Sequence, residues 1–176
     1  VIMPAHPGRL DADAPTLSAA LIVRNEERTL RRALVSIRDA VDEIVVVDTG
    51  STDRTKEIAH TFTDHVYDFE WREDFAAARQ FSFDRATGEW VFWLDADDVV
   101  LHADRIRGAL RAAERGTDCF WWKYVYGQDQ YRNPTCELWR ERCVRRAGSF
   151  RWAGKVHEYL TGGSARPAVR DPHVIV

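Results

Sequence analysis

Trp90-Val91-Phe92-Trp93-Leu94-Asp95-Ala96-Asp97-Asp98 is an unbroken apolar run that ends in a cluster of carboxylates. Aromatic and aliphatic residues in such a run read as a strand covered on both faces. Period two puts Asp95 and Asp97 on one side for as long as the chain stays extended. Crowded like charges resist ionisation unless a cation offsets them. Hard oxygen ligands at a strand end suit Mg²⁺ or Mn²⁺, above all when phosphates complete the shell. An isolated Asp-x-Asp is more often a solvated turn before a helix, so the surrounding chain decides its meaning.

Upstream, strand and helix patterns alternate. Leu17 to Val23 is a short apolar run, followed by Asn25 as a helix cap with Glu26 and Glu27 in the first turn. Leu30, Ala33, Leu34, Ile37 and Val41 then mark one helical face, and Ile44 to Val47 reads as a second buried strand. The turn Asp48-Thr49-Gly50-Ser51-Thr52-Asp53 leads into a short helix over 54–61, and a third strand is expected over 65–67. Asp74 caps a helix that runs towards Ala86 and stops at Gly88, just before the strand into Asp95. This β-α-β-α-β-α-β order predicts an α/β fold with a mostly parallel sheet and helices on both faces, whose ligands gather at the carboxyl ends of strands. Asp48 and Asp95 both stand at such ends.

Downstream a helix is expected over 104–115, stopped by Gly116. The strand Phe120-Trp121-Trp122-Lys123-Tyr124-Val125-Tyr126 and the arginine-rich stretch from Glu137 to Val144 then predict an α+β half that carries a recognition surface. Alternate aromatics of that strand face opposite sides, so half of them belong to the core.

With 176 residues the chain suits a single domain, taken as 17–176 after a loose lead-in over 1–16 that carries Pro4, Pro7, Gly8 and Pro15; a closing turn is expected around Gly162 to Pro167. Its 25 Lys and Arg against 28 Asp and Glu leave a net charge of −3, without the basic excess a nucleic-acid partner asks for. There is no apolar stretch of transmembrane length and no secretion-signal layout, so a cytoplasmic location is expected. Cys119, Cys136 and Cys143 show no metal-binding or disulfide spacing and read as buried thiols. A start at Val1 and an end in Val174-Ile175-Val176 point to an excerpt truncated at its C-terminus.

Four ordered blocks, Ser18 to Glu27, Glu43 to Thr55, Ala76-Ala77-Ala78-Arg79-Gln80 and Gly88 to Asp98, together resemble the family 2 glycosyltransferases, which have the GT-A fold. The stretch Arg151 to Glu158 looks like the tail of a bacterial subgroup with a Val-His-Glu ending. The resemblance implies sugar transfer from a nucleotide-diphosphate donor to an acceptor hydroxyl, with inversion and a divalent metal, Mn²⁺ or Mg²⁺; the acceptor could be a glycan, a lipid-linked glycan or a protein. Carried over by position, Asp48 would approach the base or ribose, Arg79 the nucleotide, Asp95 the ribose and metal, and Asp97 the metal. Val23, Asn25, Glu26, Thr49 and Ala96 complete the nucleotide-binding set. Many members have a second acid where Thr49 stands, which leaves the identity of the donor base open.

The chemistry agrees with these roles. A carboxylate accepts from a base N–H or ribose hydroxyls, and a guanidinium suits an anion in fork geometry. Inversion needs a base for the acceptor hydroxyl, and Glu158 is the candidate. His157 is either a third metal ligand or a residue that orders the loop. In an extended strand the two would face opposite ways, so both reach the cleft only if the chain turns there. A nucleotidyltransferase of related fold would want a glycine-rich loop where Arg24-Asn25-Glu26-Glu27 stands. A non-catalytic nucleotide- or carbohydrate-binding module is the other alternative.

Overall fold

A computed structural model describes residues 14–131, 133–163 and 169–176, without the side chains of 171–173. The lead-in over 1–13 and the turn expected at 164–167 lie outside these residues. In chain order the elements are β1 (Leu17–Val23), α1 (Leu30–Ile37), β2 (Glu43–Asp48), α2 (Thr55–His60), β3 (Val66–Asp68), α3 (Phe75–Phe83), β4 (Trp90–Asp95), α4 (Ile106–Arg111), β5 (Cys119–Gln128), β6 (Pro134–Arg145), β7 (Arg151–Ala153), β8 (Tyr159–Thr161) and β9 (Val169–Ile175). Seven strands form one sheet in the order β3-β2-β1-β4-β6-β5-β9, and β7 and β8 form a separate antiparallel pair. β1 pairs parallel with both β2 and β4, and β2 parallel with β3. The expected α/β class is therefore present.

Side-chain alternation explains why this sheet is covered twice. Leu17, Ala19, Leu21 and Val23 of β1 and Trp90, Phe92 and Leu94 of β4 enter one core with α1, α2 and α4. Ala20, Val91 and Trp93 enter the other, with Phe83 of α3 and Trp152 of β7. Both faces are apolar because both faces are packed, which is what an unbroken apolar strand encodes. Gly88 holds the entry to β4 against β1: its N–H donates to Ser18 Oγ at 2.8 Å, and a Cβ there would lie 2.7 Å from the Ser18 backbone nitrogen.

Four expectations are corrected. Asn25 caps no helix: α1 begins five residues later, at Leu30, and Asn25 sits at φ +56° in a loop. α3 stops at Phe83, short of Ala86. The helix expected over 104–115 is a 3₁₀ turn (Ala103–Arg105) followed by the short α4. Of the expected buried thiols, Cys119 and Cys143 are buried but Cys136 is exposed, because it lies at the outer end of β6. The aromatic and arginine-rich strands continue the sheet in the antiparallel sense, β6 pairing with β4 and β5 with β6. Interlocking rings explain that continuity: Trp90 packs on Phe120 with centroids 5.2 Å apart, and Phe92 on Trp122 at 5.0 Å. Among the described residues no helix is long and apolar enough to cross a membrane.

Candidate active site

The register brings the acidic strand tips together. Asp48 of β2 stands opposite Val23, and Asp95 of β4 opposite Ile22, so both flank the end of β1. A cavity of about 310 Å³ opens there. Ile22, Val23, Thr49 and Ala96 line it at the strand ends, Glu26, Asp95 and Asp97 supply carboxylates, and Trp71, Phe75 and Arg79 come from the segment that enters α3.

The residues after β1 and β2 lace two loops together. Asn25 Oδ1 accepts from Thr52 N at 2.8 Å, while Asn25 N donates to Ser51 Oγ at 2.9 Å. Glu26 N donates to Thr55 Oγ1 at 2.7 Å, and its carboxylate accepts from Thr29 Oγ1 at 2.5 Å. Thr49 binds the Val23 carbonyl through both N–H and Oγ1, at 2.9 and 3.1 Å. Asp48 is buried; its Oδ2 accepts from Gly50 N at 3.0 Å and Ser51 N at 2.9 Å, shaping the turn that Gly50 makes at φ +107°. Its Oδ1 is buried without a hydrogen-bond partner at the end of β2, and neither Asp48 nor Asn25 is among the residues that line the cavity.

Arg79 of α3 is the hub of the charge network. Its Nη2 donates to Asp95 Oδ1 at 2.5 Å and its Nε to Glu158 Oε1 at 2.7 Å, with the guanidinium 4.7 Å from the Trp93 ring centre and 5.2 Å from that of Trp152. Burial works against its charge, but Asp95 and Glu158 outweigh it and raise its pKa. Burial likewise pushes Asp95 up, while Arg79 and Arg142 together hold it below the ordinary carboxylate value. Asp98 goes the other way: burial, reinforced by Asp95 and Asp97 and only partly offset by Arg142, pushes it up to about 6. The Asp97 carboxylate is exposed and makes no hydrogen bond or ion pair among the described residues, although Arg32 Nη2 donates to its backbone carbonyl at 3.2 Å.

The turn wanted near His157 is present. Gly154 sits at φ +88°, the chain bends through 155–157, and Lys155 O accepts from Phe75 N at 2.9 Å, fastening the bend to the start of α3. Glu158 is thereby turned onto Arg79 with its side chain 15% exposed, and His157 is left exposed. Among the described residues no three His, Cys, Asp or Glu side chains converge as a metal cage. The donor set still suits a hard cation bound by one or two carboxylates together with substrate phosphates. Among the described residues the Asp97 carboxylate makes no ion pair, whereas both Asp95 oxygens already face arginines.

Sequence reasoning passed over Arg142, Asp98, Trp71 and Phe75. The first two are joined by an ion pair that crosses from β6 to the turn after β4, which no local pattern announces. Trp71 and Phe75 pack edge to face with centroids 4.8 Å apart, and the only signal was an aromatic pair next to a helix cap.

The family described as Glycosyl transferase family 2 matches residues 18–168. The SPbeta prophage-derived glycosyltransferase SunS of Bacillus subtilis strain 168 is 33% identical over 154 residues, which cover 84% of this chain and 35% of SunS. The lipopolysaccharide core biosynthesis glycosyltransferase LpsC of Rhizobium meliloti is 30% identical over 154 residues, 81% of this chain and 56% of LpsC. Among solved structures, glucosyl-3-phosphoglycerate synthase from Mycobacterium tuberculosis, in complex with Mn²⁺ and uridine-diphosphate-glucose, superposes with a TM-score of 0.54 at 28% identity over 64% of this chain and 45% of that one. The chain spans between 23% and 56% of the length of the curated relatives it matches.

Proposed function

The chain belongs to glycosyl transferase family 2, and on that footing we propose that it catalyses inverting, metal-dependent transfer of a sugar from a nucleotide-diphosphate donor to an acceptor hydroxyl. The observation that carries this is the cavity at the tips of β1 and β4, where Asp97 offers a free carboxylate beside an Asp95 fixed by Arg79. A related enzyme's complex with Mn²⁺ and uridine-diphosphate-glucose supports the choice of ligand class.

In this reading the spare Oδ1 of Asp48 accepts from a base N–H or a ribose hydroxyl, and the loop laced by Asn25 and Thr52 walls the nucleoside in. Asp97 holds Mn²⁺ or Mg²⁺ with help from Asp95. The ion, when bound, spreads the charge that grows on the leaving diphosphate. Arg79 adds a second cation beside the same phosphates and fixes Glu158 through one oxygen. The other Glu158 oxygen takes the proton of the acceptor hydroxyl as it attacks the anomeric carbon from the face opposite the diphosphate. The Val-His-Glu ending of the bacterial subgroup supplies this base, and His157 orders the bend that presents it.

A thermal-shift panel of nucleotide sugars with Mn²⁺ tests the proposal, since a ligand that binds the native state raises its melting temperature. At least one donor is expected to raise the midpoint with Mn²⁺ and release its nucleoside diphosphate when acceptor is supplied. No shift with any donor would contradict the reading. A shift without release for any acceptor would favour the binding module instead.

A further inference from the structure

Arg142 of β6 lies directly beneath the acidic turn. Its side chain is 1% exposed, and a cation buried to that degree is costly unless charge and contacts compensate it. The turn compensates it in part: burial still pulls the Arg142 pKa below its ordinary value although Asp95 and Asp98 raise it, and among the described residues Arg142 Nε and Nη1 and Asp98 Oδ2 make no hydrogen bond. Nη2 lies 3.1 Å from Asp98 Oδ2 and Nη1 lies 3.5 Å from Asp95 Oδ2. The guanidinium sits between two rings, 3.9 Å from the centre of Trp93 and 4.4 Å from that of Tyr124. Trp93 is itself anchored by its Nε1, which donates to Glu141 O at 2.5 Å.

The position is what matters. Asp95 and Asp98 are the two ends of a tight turn closed by Asp98 N donating to Asp95 O at 3.2 Å. One guanidinium lies within ion-pair distance of both ends, and of the two residues between them Ala96 is buried and Asp97 is exposed. Arg32 holds the Asp97 carbonyl from outside. Of the three carboxylates in this turn, Asp95 and Asp98 are faced by arginine and Asp97 is not. Packing alone would not call for this arrangement, because an apolar side chain between two rings usually stabilises a core at least as well as a buried ion pair does.

We propose that Arg142 is a positioning residue: it holds and spaces Asp95 and Asp98, so that Asp97 is presented as the principal carboxylate to a divalent cation and the diphosphate of the donor. The proposal rests on the reading of the cleft given above. Residues that orient metal ligands typically affect metal affinity by about 10- to 100-fold when replaced, and that range sets the expectation.

The test uses Mn²⁺ and UDP as probes, with free Mn²⁺ followed by electron paramagnetic resonance and UDP affinity by calorimetry, at neutral pH. Arg142→Met is expected to weaken Mn²⁺-supported UDP binding about 10- to 100-fold and to leave metal-free UDP binding unchanged. A role in packing alone would not separate the two. Arg142→Lys keeps the charge without the planar fork and is expected to restore part of the loss. Asp98→Asn removes one end of the clamp and is expected to show a smaller loss of the same kind; it also serves as the test if Arg142→Met gives no cooperative melt. A folded Arg142→Met chain with wild-type Mn²⁺-supported affinity would overturn the proposal, as would an unaffected Asp98→Asn where Arg142→Met does not fold. If the wild-type chain binds neither probe, the reading of the cleft falls and this proposal with it. Wild-type binding with unaffected variants removes this proposal alone.

Discussion

Glu158 shows how one carboxylate is prepared for a single task. Its Oε1 is taken by Arg79 at 2.7 Å, which fixes the side chain and leaves the other oxygen for a substrate proton. Glu158→Gln keeps the shape and a hydrogen-bonding oxygen for Arg79 but loses the capacity to accept a proton. Donor affinity is therefore expected to stay near wild type while turnover falls by about 10²- to 10⁴-fold; unchanged turnover in steady-state kinetics would exclude Glu158 as the base. Asp95, Asp97, Arg79 and Glu158 could be found in the sequence because strand ends and ordered motif blocks are local signals. Asn25 misled because a polar residue followed by two acids matches a helix start, whereas its side chain is used to hold Thr52 across the cleft mouth. Arg142 was given no role: an arginine in a charged stretch suits a phosphate or a solvated face equally until the partner strand is known, and that partner lies about fifty residues upstream in the register Phe92 to Cys143.

The strands were more legible than the helices. β1, β2 and β4 are buried on both faces, so their composition alone marks them, and their expected bounds fall within a residue of those observed. α4 is short and closely preceded by a 3₁₀ turn, and helical spacing cannot locate such an end. The joint between α3 and β4 depends on Gly88, whose missing side chain lets the chain pass against Ser18. In Gly88→Ala the new Cβ would meet the Ser18 backbone nitrogen at 2.7 Å, so strand or turn must move. Overpacking of this kind costs about 1–3 kcal/mol, and a melting temperature lower by several degrees is expected in circular dichroism. An unchanged midpoint would show that the joint is looser than its contacts imply.

At the scale of the molecule, a parallel sheet collects its acidic tips at one edge, and an antiparallel pair, β5 and β6, extends it on the side of β4. The parallel part was legible as alternating elements. The join to β6 was not, because antiparallel pairing across fifty residues leaves no period in the sequence; it is written in ring contacts such as Phe92 on Trp122. That join also carries Arg142 to the turn after β4, so the same strand extends the sheet and supports the site. In the proposed function the tips of β1, β2 and β4 form one place where a divalent ion and a nucleoside diphosphate are held together, with Asp97 as the ion's principal protein ligand. Calorimetric titration of UDP into the wild-type chain and into Asp97→Ala, each with Mn²⁺ and with the metal chelated, tests it most directly. Tight binding only for the wild-type chain with Mn²⁺, with weak residual binding otherwise, is the predicted result; equal affinity with and without metal, or an unaffected Asp97→Ala, would contradict it.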